Sequence, residues 1–255
     1  MRRIVLFVMA VTLFALMVHA AVMRVPGMSG VRPSMQSAPQ AAAKPADGRK
    51  HAGDSAALHK SAVPSYDPDK PFTAAQRRAI LAAAERKATS SGKPQHRYQY
   101  CVSTRGDVGD TTEFAQTVYM TLNNPRGWPR AGLTFVQSDS GRCDMTYTLS
   151  QAQYMRTFSP ICSPKYSCRA GDHVIVNYDR WRQPTESWLN GGGTLANYRT
   201  MVINHETGHK LDHRDNESVC TAPGKPAPLM QEQSMSLRGC TINPWPLDSE
   251  LWAHW

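Results

Sequence analysis

Residues 204–215 read NHETGHKLDHRD, and within them His205, Glu206 and His209 form the pattern H-E-x-x-H. On a helix, side chains four apart lie one turn apart on the same face, so both imidazoles can approach one Zn2+ at about 2.0–2.1 Å. Glu206, beside the first imidazole, is badly placed to share the metal but can reach a water activated by it and serve as general base. Chance accounts poorly for the trio: nine His and seven Glu in 255 residues produce this pattern on the order of once in a hundred such chains. The chemistry specified is metal-assisted hydrolysis.

A third donor must come from beyond the helix, because each further helical residue moves about 1.5 Å along the axis and away from the ion. Asp215 and His213 compete for that role. A helix continuing unbroken would leave His213 two turns beyond His205, whereas a reversal near Asp212 brings residue 215 round to the metal. Asp215 is therefore the expected ligand and His213 the alternative. Asp212 sits at the pivot, where a left-handed conformation normally selects Gly, though Asp tolerates that region better than most residues.

The elements that must position this trio are legible around it. Gly191, Gly192 and Gly193 break the chain, Thr194 can cap, and Leu195, Tyr198, Val202, His205 and His209 follow at helical steps, which predicts a helix over about 194–211. Upstream, RYQYCVS, GLTFVQS, CDMTYTLS and HVIVNY read as strands and TTEFAQTVYMTLN as a helix. The order predicts an α+β fold, a mixed twisted sheet packed on the active-site helix. An extended substrate could add to an exposed edge strand, for which CDMTYTLS and HVIVNY are the candidates, although the apolar run of HVIVNY also suits a buried central strand. Residues 72–87 (FTAAQRRAILAAAERK) are helix-prone and either open the domain or end what precedes it.

The start of the chain points to export. Arg2 and Arg3 precede a nearly unbroken apolar run from Ile4, with small residues at Ala20 and Ala21, so residues 1–23 suit a signal peptide or a membrane anchor. Residues 24–71 are rich in Ala, Pro, Ser and Gly without periodicity, as expected of a disordered linker. The rest is expected to be extracellular, secreted or tethered to the membrane by the N-terminal segment. All six cysteines (101, 143, 162, 168, 220 and 240) lie after the linker, and an even count in an exported chain reads as a disulfide framework. Fifteen pairings are possible; order along the chain suggests Cys101 with Cys143, Cys162 with Cys168, and Cys220 with Cys240. Of the formal charge of +9, residues 73–255 hold only 20 Lys/Arg against 16 Asp/Glu, so nucleic-acid binding is not expected.

At the H-E-x-x-H segment the chain resembles the metzincin-type zincin metallopeptidases, whose pattern H-E-x-x-H-x-x-G-x-x-H carries Asp as last ligand in a snapalysin-like branch. Asp215 corresponds to that ligand. A closer resemblance covers residues 97–248 and is to an exported bacterial family with zincin motifs catalogued as a domain of unknown function. NPRGW, VIVNYDRW, YRTMVINHETGH, Cys220, PGKPAPLMQEQ and GCTINPWP carry it. Asp212 and Asp215 stand where those relatives usually have Gly and His. The resemblance implies a zincin-like catalytic domain over 72–255 with a Zn2+ cofactor on His205, His209 and Asp215. It also implies a Met on a tight turn below the metal, for which Met230 is the candidate, stiffened by Pro226 and Pro228.

The expected activity is hydrolysis of a peptide or protein substrate by a monomeric zinc metallopeptidase with Glu206 as base. A catalytically inactive zinc-binding module for cell-wall or protein partners is the alternative. An amidase of peptidoglycan cross-links is a third reading, with Trp181, Trp188 and Trp245 as possible surfaces for sugars.

Overall fold

The structure is a computed structural model that describes Asp67, residues 70–213 and residues 218–254. The proposed signal or anchor, nearly all of the linker, and Asp215 lie outside the described residues. Among the described residues no helix is long and apolar enough to cross a membrane.

Helix α1 (Ala74–Ser90) starts at a capping box in which Thr73 and Gln76 satisfy each other's backbone N–H groups. It packs Ile80, Ala84 and Ala88 inward as part of the folded body. Strand β1 (His96–Arg105), helix α2 (Thr112–Leu122) and strands β2 (Leu133–Gln137) and β3 (Met145–Ser150) follow. After the short helix α3 (Met155–Phe158) come β4 (Cys168–Ala170), β5 (His173–Asn177), the one-turn helices α4 (Tyr178–Arg182) and α5 (Glu186–Asn190), and α6 (Leu195–Lys210). The five strands form one mixed sheet in the order β2-β1-β3-β5-β4. Only the β4–β5 pair is antiparallel. The α+β expectation therefore holds, with α6 and α2 packed against each other.

Strand alternation divides the apolar residues between two sides of the sheet. Tyr147, Val174 and Val176 join the main core, which also contains Tyr198, Val202 and Ile203 of α6. Ile175 points the other way, into a small cluster with Met155 and Cys162 against which Cys168 and Ala170 pack. Tyr147 Oη lies 2.8 Å from Thr207 Oγ1, tying β3 to the middle of α6.

The expected substrate edge is corrected. CDMTYTLS becomes β3, the centre of the sheet, and HVIVNY becomes β5, the buried inner strand that its apolar run also suited. The free edge on this side is β4, three residues too short to show a period of two.

The cysteines pair as chain order suggests: Cys101–Cys143, Cys162–Cys168 and Cys220–Cys240. The first links β1 to the segment entering β3. The last closes a loop 20 residues apart in sequence, worth about 3 kcal/mol in chain entropy.

Candidate active site

Helix α6 begins where the glycines and Thr194 place it. Thr194 Oγ1 accepts the N–H of Asn197, a cap worth about 1 kcal/mol. Gly193 is required because a Cβ there would lie 2.1 Å from the Trp188 indole nitrogen. Arg199 anchors the helix laterally: its Nε donates to the Trp181 carbonyl at 2.8 Å and its Nη1 to Glu113 of α2 at 2.6 Å.

The helix ends at the pivot. Asp212 has φ 83°, the His213 N–H donates back to the Gly208 carbonyl at 3.0 Å, and the Asp212 N–H donates to the His209 carbonyl. This is a Schellman end with Asp in the position usually given to Gly. The reversed chain brings the His213 carbonyl to His209 Nδ1, 2.6 Å away. The His213 side chain goes elsewhere. It is 2% exposed, its ring lies 3.7 Å from that of Trp252, and its Nε2 is 3.1 Å from the Trp252 carbonyl. It does not line the cleft that holds the other two histidines.

His205 and His209 do come together. His205 Nδ1 meets the Leu229 carbonyl at 2.8 Å, and a carbonyl can only accept, so each Nδ1 must carry its ring's hydrogen. In the neutral rings both Nε2 atoms are then the unprotonated, electron-donating nitrogens, 3.1 Å apart. Two lone pairs at that distance repel unless a cation lies between them, and two nitrogens on a tetrahedral zinc stand about 3.3 Å apart. The donors present fit a zinc ion. Burial, with His209 adding to it, pushes the His205 imidazole down to about 4, and burial lowers His209 as well. Both are therefore neutral at neutral pH, as ligands must be.

Glu206, 7% exposed, lines the same cleft of about 490 Å³ as both histidines. No group of three or more His, Cys, Asp or Glu that could hold a metal is found among the described residues, which do not include Asp215.

Met230 lies directly beneath α6. A Cβ on Gly208 would sit 2.4 Å from Met230 Sδ, so the helix approaches this turn only because residue 208 is glycine. The turn is fixed by a residue that sequence reasoning missed. Glu250, 4% exposed, accepts the N–H groups of Leu229, Met230 and Leu247 at 2.9, 2.8 and 2.8 Å. The Met230 N–H and the Leu229 carbonyl belong to one peptide unit, so the Glu250 carboxylate and the His205 ring grip opposite ends of the same amide. The carboxylate polarises that amide and fixes His205 in the tautomer that frees Nε2. Gln233 and Asn243 complete the support, with Gln233 Nε2 donating to the Pro228 and Asn243 carbonyls and Asn243 Nδ2 to those of Ala227 and Trp245.

The far wall of the cleft is β4 with the loop before it, pinned by Cys162–Cys168. Trp181 and Trp188 are buried and do not line the cleft, so neither offers a surface to sugars there; Trp245 lies under the Arg126 guanidinium.

A family model described as a protein of unknown function (DUF3152) matches residues 67–250. No curated protein and no solved structure matches the chain.

Proposed function

The chain belongs to that family, and we propose that it is an exported zinc-dependent metallopeptidase of zincin-like architecture. The observation that carries this reading is the pair of Nε2 atoms 3.1 Å apart, each left unprotonated by the hydrogen on its partnered Nδ1, in the cleft that Glu206 lines. His205, His209 and, after the reversal at Asp212, Asp215 would hold the ion. Zinc supplies Lewis acidity there, polarising the scissile carbonyl and making water acidic enough to attack it.

Glu206 takes the proton from the attacking water and passes it to the leaving amine. The free edge of β4 would offer backbone N–H and carbonyl groups to an extended peptide by strand addition. His205 and His209, kept neutral by burial, hold their tautomers through the Leu229 and His213 carbonyls.

The test pairs zinc quantification on the purified full chain with release of labelled peptides from protein substrates, and of muropeptides from purified cell wall. Full zinc and peptide release by the wild type, with release abolished in Glu206→Ala, is expected. Full zinc with no cleavage by either protein would overturn the peptidase reading in favour of a zinc-binding module. Muropeptide release alone would make the enzyme an amidase.

A further inference from the structure

The cleft carries a cation, Arg169, with an unmet hydrogen-bond donor, although the field of the guanidinium also reaches the Asp172 carboxylate. Arg169 is the middle residue of β4 and pairs with Val174 of β5. Its neighbours Cys168 and Ala170 pack on the small cluster with Ile175, while Val174 belongs to the main core. Alternation therefore puts the Arg169 side chain on the α6 face, where it lines the cleft beside His205, Glu206 and His209. Its Nε is buried and meets no hydrogen-bond partner, and no ion pair to its guanidinium occurs among the described residues. A buried Nε–H without an acceptor costs free energy that a bound carboxylate would recover.

We infer that Arg169 seats a carboxylate of the bound peptide. The inference rests on taking the cleft as a peptide site. A chain added to the free edge of β4 presents the residue directly opposite Arg169 on the same face, about 4.5–5.5 Å away between Cβ atoms, and opposite charges are the favoured pair there. An Asp or Glu side chain, or the free end of a chain stopping at that point, supplies the same group. Around the seat the rim is apolar: Ile161 is 87% and Met235 50% exposed, and both line the cleft. The substrate class is thus a peptide with one carboxylate flanked by apolar residues.

The test measures binding to zinc-loaded full-length Glu206→Gln protein by fluorescence anisotropy. The probes are Ala/Leu peptides in which a single Glu is moved through successive positions, the matching Gln peptides, and each with a free or an amidated C-terminus. One Glu position should bind about tenfold tighter than its Gln counterpart. That advantage should vanish in Arg169→Gln, survive in part in Arg169→Lys, and reverse to favour the Gln peptide in Arg169→Glu. An advantage confined to free C-termini and dependent on Arg169 would identify the chain end as the source of the carboxylate. Equal binding of the Glu, Gln, free and amidated peptides, or a preference that survives Arg169→Gln, would overturn the seat. Wild-type cleavage of the same peptides is scored separately. Preference without cleavage removes the peptidase reading and keeps the seat, and cleavage without preference does the reverse.

Discussion

The floor of the cleft and its rim are built on opposite principles. On the floor, the Glu250 carboxylate takes three backbone N–H groups, Gln233 and Asn243 stitch the turn, and the His205 and His209 rings each have Nδ1 held. On the rim, Ile161 and Met235 are exposed and Arg169 Nε has no hydrogen-bond partner. The floor is finished before anything binds, as the proposed catalytic centre requires. The rim leaves apolar surface and donors unmet, as a surface completed by its ligand does.

Breaking the floor should have the larger effects. Glu206→Gln is expected to lower peptide cleavage by about 10²–10⁴-fold at unchanged zinc content, read by single-turnover assays and metal analysis. Glu250→Gln should weaken zinc binding about 10–100-fold in competition with a chelating dye, because the amide it polarises orients His205. Ile161→Ser, a rim change, should leave zinc affinity unaltered. Gly208→Ala forces a methyl onto Met230 and should cost about 1–3 kcal/mol in denaturant unfolding.

The floor also has an acid limit. His205 is held at about 4 in the folded chain against an ordinary 6.5, so as pH falls the unfolded chain takes up the proton first. Its contribution to stability is complete above about pH 6.5 and is lost progressively toward pH 4. The melting temperature of the zinc-free protein should fall across that window, and His205→Ala should flatten the slope. The smallest effect belongs to the pivot. Asp212→Gly relieves a φ of 83° and should stabilise by about 1 kcal/mol or less, since it also removes the contact with His254.

The same contrast explains what could be read from the sequence. The floor's helix announces itself through Gly191–Gly193, Thr194 and an apolar stripe continuous with His205 and His209, and the left-handed pivot follows from placing a reversal at Asp212. Chain order also suggested the three disulfides. The edge strand was not legible, because three residues cannot display alternation and the longer apolar runs took its place. Glu250 carried no signal either: an acid in a short 3₁₀ turn resembles any surface carboxylate until tertiary contacts bring three amides to it. Gly208 did leave a trace, since glycine inside a helix costs about 1 kcal/mol and implies a close approach. The inward turn of His213 is decided by Trp128 and Trp252, distant in sequence, and no local pattern reveals it.

The most direct measurement of the central claim is zinc bound per chain, by metal analysis after dialysis, in the wild type and in His205→Ala, His209→Ala, His213→Ala and Asp215→Ala. About one equivalent in the wild type and in His213→Ala, with loss in either His205 or His209 variant and reduced occupancy in Asp215→Ala, is the predicted result. A wild type that binds no zinc, or zinc fully retained without both His205 and His209, would contradict it.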